Sequence, residues 1–334
     1  MSVPLITIGV TCFNAADTIG RAVASALGQD WSNKEILVVD DASKDASGDV
    51  LRTLAHRNPE IRIIRHRSNT GLSGALNTIM REARGKFVAL FDDDDESAPE
   101  RLKAQWCRIV NYEKEKQCKL ILCYSNRTVV KNARSGPGWV ARAIGRKAPE
   151  PRGIAVADYI LGNVWDRGVV WGMFGSCTLM ARRETFLSIG PFDETFRRCA
   201  EWDLAIRAAF LGTHFIAVDQ PLVTQYRTDG VDKSAAMSLR YALRLREKHK
   251  SYLMDRGLYR ASRAMARAQF HGGMGRPWVS RAYALIACGL SPTFLRQNLL
   301  GRFSRSEQTR RARAAQPKVD SVKEDGHPPD SLSP

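Results

Sequence analysis

The chain lacks several features that would assign it to a class at once. No apolar run reaches the ~18 residues that a membrane-spanning helix needs. The seven cysteines form no C-x-x-C pair, which disfavours a zinc site and fits free thiols better than a disulfide framework. The N-terminus enters a strand-like segment directly, so we predict no signal peptide. Together these absences favour a cytoplasmic protein.

Glycine-rich phosphate loops are missing as well. Residues 9–16 contain no triphosphate loop with a Lys or Arg, which disfavours a nucleotidyltransferase. The segment Asn69-Thr70-Gly71-Leu72-Ser73-Gly74 is not G-x-G-x-x-G, which disfavours an ordinary dinucleotide-binding fold. Its polar side chains are expected to cap a helix in part. The backbone N–H groups of the same turn are also suited to face an anionic substrate.

Negative charge is scarce near the C-terminus. Residues 240–313 hold 17 Lys and Arg against three acidic residues, and this segment supplies +14 of the formal net charge of +16. Such a segment favours a solvated helical face, contact with an anionic membrane leaflet, or nucleic-acid binding. We favour the membrane, because no nucleic-acid module is recognisable. The basic residues at helical spacing are Arg240, Arg244, Lys248, Arg256, Arg260, Arg263 and Arg267, and the expected interfacial apolar residues are Leu290, Phe294, Leu295, Leu299 and Leu300.

The first part of the chain alternates strand and helix patterns. Apolar strands are predicted over residues 5–10, 35–39, 61–64 and 86–91, with amphipathic helices between them. This rhythm predicts parallel strands in an open α/β sheet. Ligands of such sheets bind beyond the carboxyl ends of the strands. Polar clusters at residues 11–14, 40–45 and 92–95 follow three of the strands, so we expect them to share one crevice.

The later part is less regular. Residues 136–138 and 149–151 are rich in Gly and Pro and predict a surface loop or lid. We predict a strand over residues 176–180, a helix from Glu201, and a series of helices over residues 235–301. The polar segment after about residue 304 is predicted to be disordered.

The most informative feature is the acidic run of residues 92–96, which directly follows a predicted buried strand. Clustered carboxylates repel one another, and at least one pKa rises unless a cation intervenes. A hard divalent cation with oxygen ligands relieves this repulsion and keeps open positions for substrate phosphates. The alternative is a solvated acidic turn.

An ordered set of motifs resembles the family 2 glycosyltransferases, which are inverting enzymes that use nucleotide-sugar donors. The resemblance covers residues 4–230 and implies the GT-A fold, a Rossmann-like, mostly parallel α/β sheet flanked by helices. We therefore predict a GT-A domain over 1–230, a basic helical extension over 231–303 and a disordered tail over 304–334. The motifs are Thr11-Cys12-Phe13-Asn14, Val39-Asp40-Asp41-Ala42-Ser43, Asn69-Thr70-Gly71-Leu72-Ser73, the run of residues 92–95, and Glu201-Trp202-Asp203-Leu204.

The resemblance implies roles for individual residues in donor binding. One aspartate of the Asp40-Asp41 pair would accept a hydrogen bond from the base or ribose, although Asp41 or Ser43 could instead cap the following helix. Residues 11–14 would form the other wall of the base pocket, with Thr11 standing where the family usually has Pro. The implied donor-binding residues are Thr11, Phe13, Asn14, Asp40, Asp41, Asn69, Asp92, Asp93 and Arg227.

The family's Asp-x-Asp motif maps onto Asp92 and Asp94. Asp94 would ligate Mg²⁺ or Mn²⁺, and Asp92 would bind the metal or the ribose. Asp93-Asp94 also forms a pair, so the register of the metal site stays open.

Inversion requires a base that removes the proton of the acceptor hydroxyl. Glu201 is the candidate, at a position where the family usually has Asp, and Asp203 would serve instead if the register slips by two residues. Asp203 and Trp202 are placed on the acceptor side, although for Trp202 we favour a core role over a sugar platform.

The sequence therefore predicts a metal-dependent, inverting glycosyltransferase, cytoplasmic and peripheral on the inner face of the membrane. Its donor would be a UDP-sugar or a related nucleotide sugar, and its acceptor a hydroxyl of a glycan or lipid-linked glycan in cell-surface polysaccharide synthesis. The alternatives are a non-catalytic protein that binds membrane or nucleic acid through its basic segment, and a nucleotidyltransferase on a similar sheet. The sugar, the acceptor, the linkage and the oligomeric state stay open.

Overall fold

The structure, a computed structural model, describes residues 3–130, 138–227 and 235–296. Its strands are β1 (Ile6–Cys12), β2 (Lys34–Asp40), β3 (Ile61–Arg65), β4 (Phe87–Phe91), β5 (Glu96–Ser97), β6 (Ile121–Val130), β7 (Trp139–Ala141), β8 (Met180–Arg182) and β9 (His214–Tyr226). Its α-helices are α1 (Ile19–Leu27), α2 (Ser47–Arg57), α3 (Gly71–Glu82), α4 (Arg101–Lys116), α5 (Ile154–Ala157), α6 (Arg183–Ile189), α7 (Ala200–Phe210), α8 (Ala235–Lys248), α9 (Lys250–Asp255), α10 (Tyr259–Gly273) and α11 (Pro277–Leu290).

Within these segments the strands form one mixed sheet in the order β3-β2-β1-β4-β8-β6-β9-β5, with β7 paired to β6. The pairs β1–β2, β1–β4 and β2–β3 are parallel, which confirms the alternating pattern predicted for residues 5–91. Strand β8 is antiparallel to both β4 and β6 and so joins this parallel half to the rest of the sheet. The carboxyl ends of β1, β2 and β4 consequently lie at one edge.

The sheet is covered on both faces, which explains why β4 and residues 36–39 of β2 are apolar throughout. In β2, Leu37 and Val39 pack into one hydrophobic cluster, while Ile36 and Val38 pack into the other. This division follows from the alternation of side chains along a strand. Gly9 of β1 allows a close approach of α3, because a Cβ there would lie 2.4 Å from Cγ2 of Ile79.

Two predictions for the middle of the chain are wrong. Residues 176–178 form a 3₁₀ turn, and the strand begins only at Met180, where pairing with β4 and β6 starts. The segment at 149–151 is a loop with Pro149 exposed, as predicted, but the alternative of a lid is wrong, because Pro151 is buried and its carbonyl accepts a hydrogen bond from the backbone of Phe215. The companion segment at 136–138 lies mostly outside the described residues.

The C-terminal helices α8 to α11 pack onto the sheet domain. Buried residues of these helices, including Leu245, Leu253 and Ala261, belong to the same hydrophobic cluster as Leu37 of β2. The boundary near residue 230 stays a prediction, since residues 228–234 lie outside the described segments, as does the predicted tail over 304–334. None of the helices in the described segments combines the length and the apolar character needed to cross a bilayer.

Candidate active site

Three loops at the carboxyl ends of β1, β2 and β4 meet at one edge of the sheet. The backbone N–H of Phe13 donates to Oδ2 of Asp93 at 2.9 Å, which ties the β1 loop to the acidic run. The backbone N–H of Asn14 donates to Oγ of Ser43 at 3.0 Å, which ties it to the β2 loop. Asn14 adopts a left-handed conformation (φ 50°), which Asn tolerates better than most residues. The structure thus brings the three predicted polar clusters into one crevice.

The two aspartates after β2 have different surroundings. Asp41 is buried and accepts hydrogen bonds from the backbone N–H groups of Thr70 and Gly71 at the start of α3. Asp41 therefore stabilises the start of α3, where the positive end of the helix dipole favours a carboxylate. From the sequence it was expected instead as a possible cap for α2, the helix that directly follows β2. Asp40 accepts from the backbone N–H of Ser43 at 2.9 Å, and its Oδ2 lies 3.4 Å from Nε of Arg65.

Asn69 follows β3 and is exposed at the same edge. Its Nδ2 donates to the carbonyl oxygen of Asp41 at 3.3 Å. This hydrogen bond links the loop after β3 to the loop after β2.

The acidic run leaves the strand after Phe91 and bends at Asp93 and Asp94. Burial, together with the charges of neighbouring carboxylates that include Glu201, raises the pKa of Asp92 well above its usual range. Burial and the charge of Asp94 raise the pKa of Asp95 to about 7. These shifts are those expected of carboxylates that are held together without a compensating cation.

The acidic run and its neighbours offer a group of side chains that could hold a divalent cation. Ligand atoms of Asp92, Asp95 and Cys177 lie within 4.8 Å of one another. Oδ2 of Asp95 is buried and has no hydrogen-bond partner among the described residues, as expected of an oxygen that would contact a cation. Burial and the two carboxylates raise the pKa of the Cys177 thiol well above its usual value, so it stays protonated. Oxygen ligands of this kind fit Mg²⁺ or Mn²⁺.

This grouping differs from the predicted metal pair. Asp94 is not part of this group, and Asp95 lies beside Asp92 where Asp94 was expected as a metal ligand. Side chains two residues apart share a side only where the backbone is extended. The bend at residues 93 and 94 breaks that alternation.

Three arginines that the sequence analysis did not select surround the acidic run. Arg101 is fully buried and donates to the carbonyl oxygen of Leu90 at 2.9 Å, fixing the end of β4. Arg21 donates to the carbonyl oxygen of Asp94 at 2.7 Å. The positive charge of Arg127 lowers the pKa of both Asp95 and Glu201. Gly175 leaves space for the Arg127 side chain, because a Cβ at residue 175 would lie 2.3 Å from Nη1 of Arg127. The available sequence signal was a charged residue in the second half of β6, directly after Ser125 and Asn126.

Strand β9 ends beside the same carboxylates. The backbone N–H of Tyr226 donates to Oδ1 of Asp95 at 3.2 Å, and its ring lies under the guanidinium of Arg21. Arg227 follows Tyr226 directly and its side chain is exposed. The chain therefore brings the backbone of Arg227 close to the acidic run, and a role of its side chain in donor binding stays a prediction.

Glu201 is the second residue of α7. Burial raises the pKa of its carboxyl group above the usual value, while Arg198 and Arg127 oppose this rise. Its charge contributes to the raised pKa of Asp92, which places it near the acidic run. A carboxyl group with a raised pKa at the edge of such a crevice is suited to proton transfer.

Asp203 lies in a different environment from Glu201. Its side chain is fully buried, with Nε of Arg207 and Nζ of Lys248 each at 2.8 Å and Nε2 of His249 at 3.1 Å. Despite burial, hydrogen bonds from His249 and Lys248 and the charge of Arg207 hold its pKa well below the usual range. The structure thus places Asp203 in an ion-pair network between α7 and the C-terminal helices, and Asp203 is not among the described residues that line the cavity beside Glu201.

Next to Glu201 is a cavity of about 870 Å³. Its walls come from residues 159–174, from the start of α7 and from helices α8 and α10. Trp202 lines it and is 37% exposed, so the favoured core role for this residue is wrong. The other aromatic residues of the wall are Tyr159, Trp165, Trp171, Phe174 and Phe270. Aromatic rings of this kind, next to a candidate base, form a surface on which a sugar ring can pack.

Comparison with known proteins identifies the family. The sequence profile of the family described as Glycosyl transferase family 2 matches residues 7–182, more than half of the chain. The chain therefore belongs to glycosyl transferase family 2. It is 41% identical over 101 residues to the succinoglycan biosynthesis protein ExoO of Rhizobium meliloti, a match that covers 30% of this chain and 28% of that protein. It is 24% identical over 256 residues to the amylovoran biosynthesis glycosyltransferase AmsB of Erwinia amylovora, covering 76% of this chain and 80% of AmsB.

Solved structures share the fold. The mannosyltransferase PcManGT from Pyrobaculum calidifontis, in complex with GDP-Man and Mn²⁺, superposes with a TM-score of 0.54 at 17% identity, covering 94% of this chain and 83% of PcManGT. S. aureus TarS in complex with UDP-GlcNAc superposes with a TM-score of 0.53 at 15% identity, covering 89% of this chain and 92% of that structure. The predicted GT-A fold is thereby confirmed.

Proposed function

We propose that the protein transfers a sugar, with inversion, from a nucleotide-diphosphate donor of the UDP-sugar type to a hydroxyl group of a glycan or lipid-linked glycan. One observation carries the proposal: the carboxylates after β4 share a crevice with the β1 and β2 loops, and Glu201 lies close enough to affect the pKa of Asp92. This arrangement combines a nucleotide site, a cation site and a base. Relatives that take part in succinoglycan and amylovoran biosynthesis support a role in cell-surface polysaccharide synthesis.

The reaction assigns a task to each part of the site. The acceptor oxygen forms a bond to the anomeric carbon on the face opposite the diphosphate, and its proton passes to Glu201. The bond from the anomeric carbon to the diphosphate breaks, and its electron pair leaves with the nucleoside diphosphate. Asp92 and Asp95 would hold Mg²⁺ or Mn²⁺, which neutralises the negative charge that builds on that leaving group.

The remaining site residues would bind the donor. Thr11, Phe13 and Asn14 would face the base, with the exposed ring of Phe13 available for stacking. Asp40 is the better candidate for the hydrogen bond to the base or ribose, because both oxygens of Asp41 are already occupied. Asn69, Asp93 and Arg227 complete the donor-binding set.

Among the two candidate bases, the structure supports Glu201. The carboxylate of Asp203 is enclosed by three basic side chains, and its lowered pKa makes it a poor proton acceptor. Glu201 lines the cavity beside Trp202 and has a raised pKa. The acceptor would therefore occupy this cavity.

Donor binding can be tested directly. Nucleotide sugars with Mn²⁺ should raise the midpoint temperature of thermal unfolding. At a ligand concentration one hundred times Kd, binding adds about 2.7 kcal/mol to the free energy of unfolding. The surface variant Asp49→Ala on α2 serves as control and should respond like the unchanged protein. If DNA stabilises the chain in a salt-dependent way and no nucleotide sugar does, the basic binding protein of the alternative hypothesis is the better description.

The register of the cation site can be tested by comparing two variants. Asp95→Asn should weaken Mn²⁺-dependent UDP binding by at least about tenfold, because a carboxylate ligand loses its charge. Asp94→Asn should have the smaller effect. Isothermal titration calorimetry with and without Mn²⁺ measures both. A larger loss in the Asp94 variant would restore the pair predicted from the sequence.

Trp202 gives a test of the acceptor side. Trp202→Ala should raise the KM for acceptor by roughly 10-fold, the loss expected for one aromatic packing partner, and leave the KM for donor unchanged. Steady-state kinetics with each substrate varied in turn separates the two. Trp139→Ala, which changes an exposed tryptophan of β7 outside the cavity wall, is the control. Equal changes in both KM values would contradict the acceptor assignment.

A cytoplasmic location with peripheral contact to the inner leaflet completes the proposal. It is supported by the positive charge of the C-terminal helices, since anionic leaflets attract basic segments. Contact with a membrane would bring the acceptor cavity near a lipid-linked glycan.

A further inference from the structure

Helix α11 presents an apolar surface that no other described part of the chain covers. Trp278 is 76% exposed and Leu285 is 73% exposed. Val279, Ile286 and Leu290 are also exposed, so five large apolar side chains on a helix of 14 residues face away from the protein. We call these five residues the α11 face. Trp278 and Leu285 are seven residues apart, as are Val279 and Ile286, and Leu290 follows Ile286 by four residues, which puts all five on one side of the helix.

The opposite side of α11 is fixed to α10. Oγ of Ser280 donates to the carbonyl oxygen of Ala268 at 2.8 Å, and the ring of Tyr283 stacks on that of His271 with 5.5 Å between centroids. Ala287 is fully buried. The helix is therefore held in one orientation, and its exposed face belongs to the folded protein.

The charge around the α11 face has one sign. From residue 256 to residue 306 the sequence contains no Asp or Glu, while Arg276 and Arg281 stand beside the apolar residues and are exposed. The guanidinium of Arg281 lies 4.9 Å from the ring centroid of Trp278. An apolar face with an aromatic residue at one end and a basic border is the combination that binds an anionic bilayer surface.

This surface differs from the one expected from sequence. Lys248 is engaged with Asp193 and Asp203, and Arg263 with Glu247. Of the apolar residues expected at the interface, Leu290 and Leu295 are exposed and Phe294 is buried, whereas Leu299 and Leu300 lie outside the described residues. Leu290 belongs to the α11 face, whose other members were not expected from the sequence.

We infer that the α11 face is the surface that docks the protein on an anionic membrane leaflet. The inference rests on the proposed membrane contact and is independent of the sugar transferred. A second copy of the chain would fit this face less well, because pairing two such faces would bring their arginines together. Helix α10, on which α11 packs, contributes Ala266, Gln269 and Phe270 to the wall of the acceptor cavity. Docking through α11 would thus place the acceptor cavity one helix away from the bilayer.

Vesicle sedimentation of the full chain tests the inference. Vesicles of phosphatidylcholine with about one-third phosphatidylglycerol should bind the protein at least about tenfold more strongly than phosphatidylcholine alone, and added salt should weaken the binding. Trp278→Ala with Leu285→Ala should lower the binding about tenfold or more. Leu187→Ala, which changes an exposed leucine of α6, should bind like the unchanged protein.

Other results would overturn the inference. These are equal binding of neutral and anionic vesicles, a double variant that binds as well as the unchanged protein, or a dimer in light scattering that the double variant converts to a monomer. A second measurement on the double variant distinguishes a failure of membrane docking from a failure of the proposed transferase function. Nucleotide sugars should stabilise the double variant as much as the unchanged protein, because neither Trp278 nor Leu285 lines the crevice or the cavity. If nucleotide sugars failed to stabilise the unchanged protein, the result would instead count against the proposed function.

Discussion

Glu201→Gln is expected to lower kcat by about 10²–10⁴-fold, the usual contribution of a positioned general base. Glutamine keeps the size and shape of the side chain and cannot accept the proton of the acceptor hydroxyl. The KM values for donor and acceptor should change little, because the substitution removes an interaction made only in the transition state. Initial rates of sugar transfer with both substrates varied measure this effect.

Glu184→Gln on the exposed surface of α6 provides the matched control and should keep full activity. Burial raises the pKa of Glu201, so the ionised base is lost at a higher pH than for an exposed glutamate. The rate of transfer should therefore fall as the pH drops through this raised pKa. A Glu201→Gln enzyme with an undiminished kcat would remove Glu201 from the role of base.

Asp203→Ala is expected to destabilise the protein by about 3–5 kcal/mol, the range for removing one partner of a buried ion pair. Its carboxylate is fully buried and holds Arg207, Lys248 and His249 together. Removing it leaves Arg207 without its carboxylate partner and Lys248 with Asp193 alone, at the contact between α7 and the C-terminal helices. The shift in the midpoint of urea unfolding measures the loss.

The pH dependence of this effect has a definite sign. The pKa of Asp203 is lower in the folded protein than its usual value of 3.8, so the carboxylate contributes its full stability above that value. The contribution is lost as the pH falls toward the folded-state pKa, and the difference between the unchanged protein and Asp203→Ala should shrink there. Asp49→Ala removes an exposed ion pair on α2 and should cost less than about 1 kcal/mol. Equal unfolding midpoints for Asp203→Ala and Asp49→Ala would refute the network.

The two carboxylates of α7 illustrate a limit of sequence reasoning. Glu201 and Asp203 are two residues apart, and the motif predicts Glu201 as the base but leaves Asp203 open if the register slips. On a helix, residues two apart point in different directions. The sequence cannot show that Lys248 and His249, more than 40 residues later, enclose only one of them. Distant basic residues therefore decided which carboxylate is suited to proton transfer.

The sequence by itself determined the parallel half of the sheet and the crevice at its edge. Apolar runs and helical periodicity are local signals, and the polar loops follow from where the strands end. Only the tertiary structure decided that Asp95 lies with Asp92, that Trp202 lines a cavity, and that the exposed apolar residues of α11 lie together on one face. Those outcomes depend on a bend in the backbone and on packing between segments far apart in the chain, and neither is encoded in local residue patterns.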